Sequence, residues 1–283
     1  LYGLRIYRLS QLAVHGIPLP RASSKDPPSV ASQVGKAVPR LFVGTSGWAY
    51  PTWKPGFYPD GLPAKKFLPF YASRLNSVEV NYTFRTLPTT KMLEGWLAAA
   101  PEEFRFSFKA PQRITHFKRL RECGPDVAQF MQVLKPVREA GKLGPLLFQL
   151  PPNFKADPKR LREFLDLEQF AVGSNPVAFE FRHQSWFTSE IEEILQGRNA
   201  ALCIAEGDDL KTPEVHPSAT HISFRLRRSG GYGKAEVAAF ARRFVKLTRS
   251  RDVYVYFKHE DEPTGALNAA ALLKSAITEE QAR

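Results

Sequence analysis

The sequence predicts an α/β protein: a single-domain TIM-type (β/α)8 barrel behind a disordered N-terminal extension. Eight short apolar runs of strand length recur from residue 40 onward, and segments of helical pattern separate most of them. The span they occupy is close to the ~250 residues typical of such a barrel. No Gly-rich dinucleotide fingerprint follows the first run, so a doubly wound open sheet is the lesser alternative.

In chain order the runs are RLFVG (40–44), SVEVN (77–81), FRFSFKA (104–110), PLLFQL (145–150), PVAFEF (176–181), AALCIAE (200–206), THISFRL (220–226) and DVYVYFK (252–258). They are rich in β-branched and aromatic residues, which suit a pleated, buried strand. Helical patterns fill 64–74, 90–99, 126–140, 158–167, 189–196 and 234–249, and a last helix is expected over 267–276. The sixth connection, 207–219, contains Pro213 and Pro217 and lacks a full helix. The barrel domain is therefore expected over 40–278.

Residues 1–39 differ in kind. LPRASSKDPPSVASQVGKAVPR is rich in Pro, Ser and Ala with no helical or strand period, and reads as a disordered linker. LYGLRIYRLSQLAVHGI before it carries arginines and no acid, as organellar targeting segments do. Targeting segment and plain extension are both open readings; the barrel itself is expected to be soluble and cytoplasmic unless the extension redirects it.

The chain carries a formal charge of +12 and a pI near 9.7, which points to anionic partners, either a small molecule or nucleic acid. Residues 1–40 hold six basic side chains against Asp26, so most of the basic excess still lies in the barrel. No apolar run approaches the ~18 residues that cross a bilayer, and no membrane partner is expected. Cys123 and Cys203 form no CxxC pair, which argues against a disulfide framework or a structural zinc site. Cys203, inside an apolar run, reads as a small buried hydrophobe.

In a barrel of this kind function sits at the C-terminal ends of the strands. Alternation along each run then sorts its residues into two faces. Ser77, Glu79 and Asn81 share one face of the second run, and Ser107 and Lys109 one face of the third. Gln149 ends the fourth, Glu180 and Arg182 alternate with Phe179 and Phe181 in the fifth, and Glu206 ends the sixth. The seventh gives Ser223, Arg225 and Arg227, the eighth Tyr254, Tyr256 and Lys258. A polar residue at the same end of seven strands favours a ligand site over an internal salt-bridge plug, because burying so many charges is costly unless they pair or bind something.

The blocks GTSGWAYPTWKPGFYPDGLP, SVEVNYTFRTLP, FRFSFKAPQRITHFKRL, LGPLLFQLPPNF, AFEFRHQSW and RDVYVYF occur in that order. In them the chain resembles the YecE-like family, domain of unknown function 72 (DUF72), from about residue 41 to 272. The resemblance implies a TIM-barrel fold and supplies no reaction; nucleic-acid processing enters only by analogy with barrels of the xylose isomerase and endonuclease type. The family pattern carries over to Gly44, Thr45, Ser46, Gly47, Trp48, Glu79, Asn81, Phe84, Lys109, Pro111, His116, Gln149, Pro151, Glu180, Arg182, Trp186 and Arg225. It departs at Glu206, where the family has Asp, at Arg227, where it has His, and at Lys258-His259, where Asn-rich residues are usual. These changes make the expected pocket more basic.

Two chemistries follow. In the first, an enzyme acts on an anionic, phosphate-bearing substrate: Lys109, Arg182 and Arg225 clamp the anion. Glu79 and Glu180 serve as general base or acid, with Lys109 and His116 in the catalytic set. Thr45, Ser46, Trp48, Asn81, Gln149, Trp186 and Lys258 complete the expected binding set; of Trp48 and Trp53, one is expected to pack under the first loop and one to wall the ligand. In the second, a nucleic-acid-binding module uses the basic stretches 113–121 and 225–228 with aromatic side chains as stacking platforms. A sugar-processing barrel, built on Glu79 and Glu180 as the two carboxylates, is disfavoured by the cations beside them. His116, His183 and His259 show no metal-ligand spacing, and no cofactor or metal is expected.

Overall fold

The computed structural model describes residues 41–171, 175–207, 211–214, 219–258 and 261–282. The expected extension 1–39 and His259 lie outside the described residues. Eight parallel strands form the sheet: β1 (Leu41–Thr45), β2 (Ser77–Val80), β3 (Arg105–Lys109), β4 (Leu143–Gln149), β5 (Val177–Glu180), β6 (Ala200–Glu206), β7 (His221–Leu226) and β8 (Asp252–Phe257). Hydrogen-bonded neighbours run β1–β8–β7–β6–β5–β4–β3–β2, the order of a barrel. The helices are α1 (Phe67–Ala72), α2 (Thr90–Ala99), α3 (Gly124–Val133), α4 (Lys135–Glu139), α5 (Pro158–Leu165), α6 (Ser189–Gly197), α7 (Lys234–Leu247) and α8 (Thr264–Gln281).

Closure between β1 and β2 is achieved by side chains, since no backbone ladder joins them among the described residues. The Asn76 amide donates to the Leu41 carbonyl at 2.8 Å and accepts from the Val43 amide at 2.7 Å, acting as a surrogate strand. One turn of chain away, the Tyr71 hydroxyl, fully buried, accepts from the Thr45 amide at 2.8 Å and donates to the Ser77 carbonyl at 3.0 Å. Backbone groups that would otherwise be orphaned in the core are thereby satisfied.

Local chemistry explains where helices depart from expectation. The span 126–140 divides into α3 and α4 because Pro136 offers no N–H and its ring clashes with the preceding turn. Thr89, Asp157 and Thr188 cap α2, α5 and α6 by accepting from backbone amides, which fixes those starts. The first helix begins with a 3-10 turn over Ala64–Lys66 and is shorter than 64–74, while α8 runs further in both directions than 267–276. A π-helical turn runs over Arg113–Phe117, where the sequence carries no periodic pattern for it.

Alternation also divides the core. Outward-facing Phe106, Phe108, Phe148, Phe179 and Phe224 are buried under the helices. Inside the barrel, Leu147, Ala178, Ala201, Cys203 and Ala219 form a separate small cluster. Cys203 behaves as the small buried hydrophobe expected of it, and burial pushes its thiol well above the ordinary value. Tyr256 reaches across from β8, its hydroxyl 2.7 Å from Ser77 Oγ and 2.6 Å from Ser107 Oγ. Nearer the N-terminal floor, Tyr254 stacks on Phe42 at 4.7 Å. These layers fill the lower barrel and leave the C-terminal end open to charged side chains.

Candidate functional site

Three strands deliver the centre of the site. Glu79 on β2, Glu180 on β5 and Arg225 on β7 point inward, and each is at most 2% exposed. Arg225 bridges the two carboxylates: one terminal nitrogen donates to Glu79 Oε1 at 2.7 Å and the other to Glu180 Oε2. Glu180 Oε1 also accepts from Arg182 Nε at 2.5 Å and from Gln149 Nε2 at 3.1 Å. Burial would raise the Glu180 pKa, but the Arg225 and Arg182 guanidinium groups outweigh it and bring it down to about 2. Burial likewise works against the Arg225 charge, and Glu180 and Glu79 more than restore it, raising its pKa.

A cavity of about 460 Å3 opens above this network, lined by Asn81, Tyr82, Phe84, Lys109, Gln149, Arg225 and Arg227 among others. Lys109 Nζ lies 4.0 Å from the centre of the Phe84 ring and makes no hydrogen bond or ion pair among the described residues. The carboxylates nearby are already held by Arg225 and Arg182. Burial, and then the Arg225 charge, pull the Lys109 ammonium down to about 8. Arg227 donates to Ser46 Oγ at 2.9 Å, and burial followed by Arg225 lowers its pKa to about 10. Asn81 Oδ1 and Arg225 Nε are buried without a hydrogen-bond partner among the described residues, leaving one acceptor and one donor unspent.

The first loop supports this cavity from one side. Gly47 turns it at φ +102, and a Cβ there would strike the Tyr50 hydroxyl, so only glycine fits. Tyr50 donates to the Ser46 carbonyl at 2.9 Å, and Thr45 Oγ1 to the Gly47 carbonyl at 2.6 Å. Thr45 and Ser46 are fully buried, so their part is to shape the loop and hold Arg227. Trp53, fully buried, stacks on Tyr58 and lies edge-on to Phe57, as expected for the tryptophan beneath the loop.

Several expected site residues take other places. Trp186 is 1% exposed, stacks on Phe181 and donates to the Phe154 carbonyl at 2.7 Å, so it anchors a loop inside the core. Trp48 packs edge-on against Trp96 and does not line the cavity. Lys258 sits at the rim, donating to Ser229 Oγ at 3.1 Å. Glu206 follows Ala205 on β6 and so has the opposite parity to inward Ala201 and Cys203; the sixth strand brings no acid into the centre. His116 is on the π-turn, edge-on to Phe84 at 4.9 Å, with Nδ1 2.9 Å from Thr115 Oγ1. Burial, then the Lys109, Arg119 and Arg182 cations, lower its pKa, which favours the neutral ring. Glu180, expected as general base or acid, has both oxygens engaged by Arg182, Gln149 and Arg225, and its pKa is held down to about 2, which favours its charged form. Arg227, absent from the expected binding set, is in the cavity, and the alternation Ser223–Arg225–Arg227 already put it on the inward face.

Comparison with known proteins places this barrel. The family model "Protein of unknown function DUF72" matches residues 42–283. The chain belongs to the DUF72 family. Its relatives include the UPF0759 protein YunF of Bacillus subtilis, 30% identical over 158 residues, and the UPF0759 protein YecE of Escherichia coli K12, 29% identical over 153. These matches cover 54% of this chain in each case, and 54% and 52% of the relatives, so the chain spans about half the length of the curated relatives it matches. A DUF72 family crystal structure from Thermotoga maritima superposes with a TM-score of 0.71 at 26% identity, covering 83% of this chain and 98% of that one. Another, from Enterococcus faecalis, gives 0.68 at 18% identity, with 83% and 95% covered, and shows the shared fold. Among the described residues no helix is long and apolar enough to cross a membrane, and no group of His, Cys, Asp and Glu is arranged to hold a metal ion.

Proposed function

We propose that this DUF72 barrel is an enzyme whose substrate is a small anion, bound in the cavity above the Arg225 network. One observation carries the reading: among the described residues, Arg182, Arg225, Arg227 and Lys109 surround only two carboxylates, Glu79 and Glu180. Arg225 and Arg182 make the ion pairs with these acids, so Lys109 and Arg227 line the cavity with no carboxylate paired to either among the described residues. Burial, and after it repulsion from Arg225, lowers both pKa values; an anion relieves the repulsion, and the guanidinium of Arg227 suits a phosphate or carboxylate. Asn81 Oδ1 offers an acceptor for a ligand hydroxyl or amine. In this reading Arg225 fixes Glu79 and Glu180, Arg227 orients the anion, and Lys109 is the group able to give or take a proton near neutrality.

Inorganic phosphate is the simplest probe. It should raise the melting temperature of the wild-type protein, since a ligand that binds only the folded state stabilises it. The Arg227→Gln variant should need roughly tenfold more phosphate for the same shift, the loss of one charge-assisted hydrogen bond of about 1.5 kcal/mol. Equal responses from the two proteins, or none from either, would count against the reading.

Nucleic-acid binding draws less support. Exposed Phe117 and Tyr82 offer rings for stacking. Yet Arg113 and Lys118 are both paired with Asp126, Arg119 donates to Asn153, and Arg228 is paired with Glu236, so the two basic stretches are largely engaged within the protein.

A further inference from the structure

We infer that Lys109 is a nucleophilic amine that forms an imine with the carbonyl group of a small aldehyde or ketone carrying a carboxylate or phosphate. This deepens, and rests on, the reading of the cavity as an anion site. The geometry comes first. Lys109 is the last residue of β3, on the inward face at the open end of the barrel, where a bound substrate is met by groups from several strands. Its Nζ lies over the Phe84 ring, 4.0 Å from the centroid, and both side chains line the cavity. Two buried carboxylates lie in the same charge cluster, yet neither forms an ion pair with it, because Arg225 bridges both and Arg182 takes a further oxygen of Glu180. An amine meant only to neutralise an acid would be paired with one. This one is buried without such a pair, with Arg225 and Arg227 opposing its charge against Glu79 and Glu180, and a desolvated lysine beside cations is one activated as a nucleophile.

Its titration agrees with that placement. Burial and the neighbouring Arg225 bring the ammonium to about 8, so a substantial fraction is free amine near neutral pH. An ordinary surface lysine, near 10.4, is almost wholly protonated there.

The step balances without an oxidant or reductant. The Nζ lone pair attacks the carbonyl carbon, and the C=O π pair moves to oxygen, which takes up a proton as nitrogen releases one. The proton shed when the ammonium became the free amine returns to the carbinolamine hydroxyl, which leaves as water while the nitrogen lone pair closes the C=N bond as the iminium. Arg227, held by Ser46, is the group that would hold the substrate's anionic end beside the amine. Positive charge on the iminium nitrogen replaces that of the lysine ammonium, so the site's charge balance is unchanged by the reaction.

Reductive trapping tests this on the full chain. The protein is incubated with glyoxylate and cyanoborohydride, which reduces an imine to a stable secondary amine, and the modified lysines are located by peptide mass mapping. Lys109 should be modified on the order of tenfold or more faster than any other lysine at neutral pH, as its larger free-amine fraction requires. Its rate should level off above pH ~8, where surface lysines are still accelerating. Acetaldehyde, which lacks the anion, should react more slowly at Lys109, inorganic phosphate should protect it, and Lys109→Arg should abolish the fast phase. Phosphate stabilisation of the wild type without selective modification of Lys109 overturns the imine and leaves the anion site standing. Failure of both removes the anion site as well. Selective modification that acetaldehyde matches and phosphate does not slow overturns the anionic class of substrate, and with it the proposal as stated.

Discussion

Replacing Arg225 with Met should destabilise the protein by roughly 3–5 kcal/mol, the range for stripping one partner from a buried ion pair. Arg225 is 2% exposed and its two terminal nitrogens serve Glu79 and Glu180, both buried. Without it, two carboxylates would face each other in the barrel with Arg182, Arg227 and Lys109 near but only Arg182 paired to one of them, and desolvation would no longer be offset. Urea unfolding measures the loss; a cost under about 1 kcal/mol would show that the network is a solvated surface pair in all but appearance. The same network sets an acid limit. Glu180 has its folded pKa depressed to about 2, so its contribution is fully present above the ordinary carboxylate value near 4.3. That contribution, roughly 3 kcal/mol, is lost as pH falls from there through about 2. In Arg225→Met the acid dependence between pH 4.3 and 2 should flatten, because the cation chiefly responsible for the depression is gone.

The second large effect lies at the seam between β1 and β2. Gly44→Ala should cost at least ~3 kcal/mol, beyond ordinary overpacking, since the new Cβ would sit 1.9 Å from the Ser77 carbonyl oxygen and 2.8 Å from the Tyr71 hydroxyl. The neighbour is backbone and cannot swing aside, so β1 must shift away and break the Tyr71 hydrogen bonds to Thr45 and Ser77. Gly95→Ala provides the opposite sign. Gly95 is exposed within α2 with open space where a Cβ would go, and alanine there should stabilise by about 0.5–1 kcal/mol. Two thermal melts with shifts of the same sign would sink this account of the seam.

The strand spans were legible because each is a short apolar run with a two-residue alternation. That alternation also identified Glu79, Lys109, Glu180 and Arg225 as inward-facing. At Glu206 the position at the end of the run misleads, because residue 206 has the opposite parity to inward Cys203. The closure of the barrel was not legible. Asn76 and Tyr71 carry no local pattern that marks them as surrogate backbone; their role exists only when β1 and β2 lie side by side, about thirty residues apart in the chain. Nor was the fate of Trp186, whose burial depends on stacking with Phe181 and on a carbonyl at Phe154 supplied by another loop.

The sequence by itself determined the barrel, the end of it that carries polar groups, and the excess of cations there, since periodicity and charge are properties of the chain read in order. Which cation holds which acid was decided only by the tertiary structure. Arg225 lies 146 residues from Glu79 and 45 from Glu180, and only the closed barrel brings its two nitrogens between them. That pairing engages both carboxylates, holds the Glu180 pKa down, and leaves Lys109 beside the cavity without an ion pair among the described residues.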